Sequence, residues 1–217
     1  SEKIQHVSKI IDPINDLETI KTEILLTDIS QIEKKLQKNL KKKLNEKQIK
    51  LLETLLDRLN QNQILEDNYN KDNEKFFREI GLISIKPYII VCNVDEKSVN
   101  SGNKYTKILK EKYPNQKFII ICADIESQIN DLNPDERENY MKNIGLEKTG
   151  LSKLITTGYD LLNLNTFFTS GPEESRAWTV KKATEAQKAA GVIHSDFEKN
   201  FIKAEVVPYV DFEKFGS

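Results

Sequence analysis

The sequence predicts an α/β protein: a long helical arm interrupts a parallel sheet, and a small α+β module follows. Three observations carry that prediction. Residues 14–80 contain neither Gly nor Pro and repeat apolar residues every three or four positions. "IKPYIIVCNV" and "QKFIIICADIE" are short apolar runs separated by a helical stretch, the pattern of a strand–helix–strand unit. Beyond residue 166, short strand-like runs flank the turn "SGPEE".

Taken in order, residues 1–15 read as a loop without a cap. Asp16 opens the arm, 16–80. Leu17, Ile20, Ile24, Leu25, Ile29, Ile32, Leu36, Leu40 and Leu44 form one helical stripe, and Ile49, Leu52, Leu55, Leu56 and Leu59 form a second. Two such stripes predict an antiparallel hairpin or short coiled coil. Residues 60–74 read as a loop. The Tyr, Ile and Val of 85–94 predict a strand covered on both faces. Residues 101–112 form the crossover helix and 117–126 the second strand. Asn133, Pro134, Asp135 and Glu136 start another helix, and Gly145 ends it. Residues 149–164 read as an amphipathic helix. In the final module, 166–217, "HSDFEKNF" predicts one or two helical turns capped by Ser195 or Asp196, and "FIKAEVVPYVDF" a further strand.

Composition narrows the function. The 217 residues are 38% hydrophobic and 31% charged, with 33 basic and 34 acidic side chains and a formal net charge of −1. Any basic surface is therefore local. No apolar run reaches the roughly 20 residues that cross a bilayer, and no signal peptide opens the chain. The expectation is a soluble, cytoplasmic protein. Cys92 and Cys122 lie near the ends of apolar runs and read as buried thiols. Two cysteines and two separated histidines do not make a metal site.

The polar cluster Asn93, Asp95 and Glu96 ends the first strand, where ligands sit in open α/β sheets. Cys122 to Asp124 ends the second strand. An Asn amide both donates and accepts toward a purine edge, and a carboxylate accepts from base N–H groups. The backbone N–H near Ala123 is a further donor. The same residues also suit a capped strand end. No Gly-x-x-x-x-Gly-Lys-Ser/Thr phosphate loop occurs in the chain. The 217 residues alone are thus not expected to hydrolyse a nucleotide. Eight lysines between 34 and 50 (Lys34, Lys35, Lys38, Lys41, Lys42, Lys43, Lys47 and Lys50) face one acid, Glu46. They suit RNA phosphates or a solvated helix face. His194 reads as structural or capping. Trp178 reads as a core anchor, with Arg176, Lys181 and Lys182 positioned to meet a partner.

"SRAWTV" followed by "AAGVIHSDFEKNFIKAEVV" closely resembles the TGS domain of the YchF/Obg-like ATPase family. "GLEKTGLSKLITTGYDLLNLNTFFTSGP", "KPYIIVCNVDE" and "QHVSKIIDPINDLETIKTEILLTDI" resemble that family's last G-domain helix, base-recognition loop and arm entry. The resemblance covers essentially the whole chain. It implies a nucleotide-binding P-loop NTPase G domain, 1–15 and 81–165, with an inserted coiled-coil arm, 16–80, followed by a ubiquitin-like β-grasp module, 166–217. It further implies an internal piece, lacking the phosphate-binding half before Ser1 and the end of the TGS domain after Ser217. The implied cofactor is ATP or GTP with Mg2+, and the implied partner is the ribosome and its RNA. Asn93, Val94, Glu96, Cys122 and Ala123 would hold the base. His6 would assist hydrolysis. Lys34, Lys35, Lys38, Lys41, Lys42, Lys43 and Arg176 would meet RNA or a partner. The guanine-reading pattern Asn-Lys-x-Asp is Asn93-Val94-Asp95-Glu96 here. Its lost Lys and longer acid are compatible with adenine. Ser8-Lys9 replaces a family glycine after the histidine loop, Asn200 replaces another, and Cys122-Ala123-Asp124 stands in place of Ser-Ala-Lys.

Overall fold

The structure, a computed structural model, describes residues 11–37, 43–61 and 71–215. Helix α1, Pro13–Leu36, starts earlier than the periodicity suggested, because Asp12 caps it: its carboxylate accepts from the Asn15 N–H at 3.1 Å, and Pro13 suits the first turn. The first helix was expected to run on toward Leu44. It ends at Leu36, with Gln37 already in extended backbone, and a separate helix, α2, Glu46–Asn60, is opened by the reciprocal capping box of Asn45 and Gln48. Helix α3 spans Lys71–Ile80, so the loop expected over 60–74 gives way to helix from Lys71.

These helices share one core. Ile32 of α1, Leu52, Leu55 and Leu59 of α2, and Phe77 and Ile80 of α3 are buried together with Leu82 and Ile85. The i, i+3, i+7 spacing on α2 explains why those leucines, and not their neighbours, point inward. Each fully buried Leu contributes about 1.5–3 kcal/mol. A buried carboxylate locks this core to the chain beyond it. Asp28, at 0% exposure, accepts from the Ile83 N–H at 2.8 and 3.1 Å and from the Ser84 N–H at 2.8 Å.

Strand β1, Ile89–Asn93, pairs in parallel with β2, Lys117–Ile121, in the register Ile89↔Lys117 to Asn93↔Ile121. The crossover helix α4, Lys104–Lys112, is opened by an Asn103–Thr106 capping box. Cys92, Val94 and Leu109 are buried on one face with Ile14 and Leu17 of α1 packed against them. The expected burial of β1 on both faces is not seen, since Val91 is 42% exposed. Among the described residues only β2 pairs with β1. Helices α5, Ala123–Asp131, and α6, Pro134–Asn143, build a further core of Val99, Cys122, Ile125, Ile129 and Leu146. The second strand, expected over 117–126, ends at Ile121, and α5 begins at Ala123, so 123–126 are helical rather than strand. Helix α6 has the Asn133 cap and Pro134 start as expected, and Gly145 closes it at φ +70° while the Leu146 N–H returns to the Met141 carbonyl. Helix α7 spans Gly150–Leu161. Glu126 holds its start, accepting from the Gly150 and Leu151 N–H groups at 2.6 and 3.1 Å.

The chain divides into two units, Ser1–Lys153 and Leu154–Ser217. In the second, β3, Leu164–Ser170, and β4, Ser175–Lys181, form the expected hairpin. Helices α8, Ala186–Ile193, and α9, Ser195–Lys199, follow. The cap of α9 is His194 rather than Ser195 or Asp196: its Nδ1 accepts from the Asp196 N–H at 3.2 Å. That is the capping role read for His194. The strand expected over "FIKAEVVPYVDF" does not form. Residues 201–208 carry no regular element, and α10, Tyr209–Phe215, is a helix. An alternating apolar pattern makes a strand only where an edge pairs with it. Here Ile202 remains 91% exposed.

Candidate functional site

The two loops that sequence reasoning singled out are joined by one side chain. Register places Asn93 opposite Ile121 at the carboxyl ends of the paired strands. Asn93 Oδ1 accepts from the Ala123 N–H at 3.1 Å. The Val94 N–H donates to the Ile121 carbonyl at 2.8 Å and carries the ladder one step further. The amide NH2 of Asn93 has no protein partner among the described residues and is the donor left for a ligand.

The remaining base-site candidates separate by exposure. Glu96 is exposed and begins a single 3-10 turn, Glu96–Ser98. Val94 and Cys122 are buried, at 3% and 1%, so their side chains serve the cores. The Cys122 carbonyl is already bonded to the Glu126 N–H, and the Ala123 N–H to Asn93. Asn93 and Glu96 therefore carry the free polar groups of this set. Burial pushes the Cys92 thiol up from its ordinary pKa, which suits an inert core cysteine.

An open cavity of about 850 Å³ adjoins this strand end, lined by residues of α1, β1 and the start of α4. Asn93, Val94 and Asp95 line it, with Asp16 and Lys21 of α1 and Asn103 at the start of α4. Glu96, Cys122 and Ala123 are not in its wall. Asp16, Lys21 and Asn103 are distant from or unremarkable beside this loop in the sequence, and only the fold brings them to the same wall. The Asn-x-x-Thr cap at Asn103–Thr106 was a legible signal for one of them.

Of the basic residues, Lys34 and Lys35 lie in the last turn of α1, and exposed Lys43 lies shortly before α2. Lys38, Lys41, Lys42 and His6 lie outside the described residues. Arg176 belongs to the second unit, where its guanidinium stacks 4.2 Å from the Trp178 ring centroid. The Trp178 Nε1–H donates to Thr169 Oγ1 at 2.9 Å. Lys182 pairs with Asp160 at 2.8 Å. Among the described residues no three His, Cys, Asp or Glu side chains gather to hold a metal, and no helix is long and apolar enough to cross a membrane.

A parallel strand–helix–strand unit with polar loops at the strands' carboxyl ends places the chain among the α/β proteins whose ligands bind at that edge. Comparison with known proteins is more specific. Residues 164–217 match the family model YchF-GTPase_C, described as a protein of unknown function (DUF933). The "Ribosome-binding ATPase YchF" of Bacillus subtilis (strain 168) is 37% identical over 220 residues, covering 97% of this chain and 60% of the relative. That of Haemophilus influenzae is 35% identical over 224 residues, covering 100% of this chain and 61% of the relative. The solved structure of the Schizosaccharomyces pombe YchF GTPase superposes with a TM-score of 0.78 at 30% identity, covering 98% of this chain and 61% of that one. The chain belongs to the YchF family. It spans about three fifths of the length of these relatives.

Proposed function

We propose that these residues form the base-reading and partner-docking part of a ribosome-associated P-loop NTPase, with 16–80 as its coiled-coil arm and 166–217 as its β-grasp TGS module. The observation that supports base reading is the hydrogen bond from the Ala123 N–H to Asn93 Oδ1. It orients the Asn93 amide and leaves its NH2 to donate to a purine ring nitrogen. The exposed Glu96 carboxylate accepts from an exocyclic amine. An acceptor alone suits the amine of adenine, so ATP is the favoured nucleotide, with GTP tolerated. Val94, Cys122 and Ala123 support this edge through backbone and packing.

No Gly-x-x-x-x-Gly-Lys-Ser/Thr segment lies within the 217 residues, and the described residues gather no set of metal ligands. No phosphate or Mg2+ step is therefore assigned to them. The purine edge fits these residues; the triphosphate does not. His6 is proposed to assist hydrolysis in a protein that supplies the phosphate grip.

Lys34, Lys35, Lys38, Lys41, Lys42 and Lys43, close together in the sequence, are proposed to meet ribosomal RNA, with Arg176 as a contact on the second unit. That setting is cytoplasmic. The name carried by the bacterial relatives, a ribosome-binding ATPase, favours this partner.

The test has two arms. Fluorescent ATP and GTP analogues are titrated into the protein carrying these residues and into its Asn93→Ala and Glu96→Ala variants. Loss of affinity by about tenfold is the expected scale for one hydrogen bond to a charged or well-oriented group. Unchanged affinity and unchanged ATP/GTP ratio in both variants would remove Asn93 and Glu96 from the site. Ribosome co-sedimentation across a salt series, with Lys34, Lys35 and Lys43 replaced by Ala, tests the docking surface. A flatter salt dependence is expected, and an unaltered curve refutes it.

A further inference from the structure

The first turn of α5 carries the Ala123 N–H that orients Asn93, and it has no cap of its own. Cys122 occupies the cap position but makes no side-chain hydrogen bond there. A helix start in that state frays, because its first N–H groups lack intrahelical acceptors. Two contacts from other elements hold this turn. Asn93 accepts from the Ala123 N–H. Glu126, one turn further on, accepts from the Gly150 and Leu151 N–H groups that open α7. Helix α7 already has a local cap, since Thr149 Oγ1 accepts from the Ser152 N–H at 3.1 Å. The added carboxylate therefore ties two helices together, and the positive end of α7 strengthens the tie.

Packing points the same way. Gly150 is buried, and a Cβ there would lie 2.6 Å from Ile121 Cγ2 and 2.8 Å from Glu126 Oε1. Ile121 is the register partner of Asn93, and its carbonyl accepts from the Val94 N–H. The start of α7 thus bears on both neighbours of Asn93: on Ile121 by close approach, and on Ala123 through the turn it shares with Glu126. We propose that Glu126 is a positioning residue for purine binding. It anchors the first turn of α5 on α7, and so holds the Ala123 N–H and the Asn93 amide in the orientation that meets the base. Glu126 itself lies outside the cavity wall. The role rests on the base-reading assignment of Asn93.

Adenosine presents the base without the triphosphate. It is titrated into the full chain and followed by the side-chain NH2 resonances of Asn93 and the backbone amide of Ala123. Glu126→Ala is expected to bind adenosine about five- to tenfold more weakly, the scale of one well-oriented hydrogen bond. Glu126→Gln keeps one acceptor oxygen and falls between the two. Because Glu126 acts through Asn93, the double variant Asn93→Ala/Glu126→Ala binds no more weakly than Asn93→Ala alone; a purely structural role would make the two losses add. In the ligand-free chain, Glu126→Ala should quicken exchange of the Ala123 amide by about tenfold. Unchanged exchange at Ala123, or losses that add, overturns the positioning role alone. Adenosine affinity that Asn93→Ala leaves unchanged, or no saturable shift in the unaltered chain, overturns the base-reading assignment and the positioning role with it.

Discussion

Replacing Asp28 by Ala tests how the helical core is attached to the sheet. The side chain is 0% exposed and accepts from two backbone donors, Ile83 N–H and Ser84 N–H, through contacts of 2.8, 3.1 and 2.8 Å. A hydrogen bond to a charged acceptor contributes about 1.5–3 kcal/mol, and a buried donor left bare costs on the same scale. Removing the acceptor strands both N–H groups, so Asp28→Ala is expected to cost about 3–5 kcal/mol. That is a large share of the roughly 5–15 kcal/mol that holds a typical domain. Asp28→Asn keeps one acceptor oxygen and loses about half as much. Urea unfolding measures the totals, and amide exchange at Ile83 and Ser84 localises them. Both amides should exchange far faster in the Ala variant. A loss below about 1 kcal/mol, with exchange at those two amides unchanged, would refute the clamp.

Two further perturbations address the site's surroundings. Gly102 sits at φ +74°, and a Cβ there meets Thr106 Oγ1 and lies 3.0 Å from Ile120 Cδ1. Gly102→Ala should cost about 2–3 kcal/mol from backbone strain and overpacking. Gly145→Ala, where the nearest atom is Asn100 Nδ2 at 3.6 Å, should cost only about 1 kcal/mol; thermal unfolding that ranks the two equally contradicts the steric argument. A hydrogen bond from Lys112, reinforced by its charge, holds the Glu18 carboxyl below its ordinary pKa, and the same bond raises Lys112. The Glu18 contribution is full above the ordinary carboxylate range and disappears as pH falls through its depressed pKa. The Lys112 contribution is full below the ordinary lysine range and disappears as pH rises through its raised pKa. In a carbon-13 NMR titration, Lys112→Met should move Glu18 back up; an unmoved Glu18 would show that the pair is not formed in solution.

Much of the fold is local physics and was legible for that reason. Periodicity marked the apolar faces of α1 and α2, the Ile-Val runs marked β1 and β2, and Asn133-Pro134 with Gly145 bounded α6. The hairpin of β3 and β4 followed from its turn. Capping chemistry was also present but easier to overlook: Asn45-x-x-Gln48 opens a separate helix, and Asp12 starts α1 early. Where the reading failed, a partner at long sequence separation decided the outcome. "FIKAEVV" has the alternation of a strand, yet among the described residues no edge pairs with it, so residues 201–208 carry no regular element. Val91 reads as doubly buried, yet one face of β1 is open.

The same division runs through the candidate site. Asn93 and Glu96 were identified by residue type and by their place after an apolar run, which sequence order supplies. That Asn93 uses its carbonyl on Ala123, leaving only the amide NH2, depends on the parallel register of two strands about thirty residues apart. Asp28 looked like any polar residue within a helix. Only the return of the chain at Ile83 and Ser84, 55 and 56 residues later, makes it a buried acceptor. Residue chemistry and short-range periodicity are written along the chain. Burial and hydrogen-bond partnership depend on which distant segments meet, and those the tertiary structure alone decides.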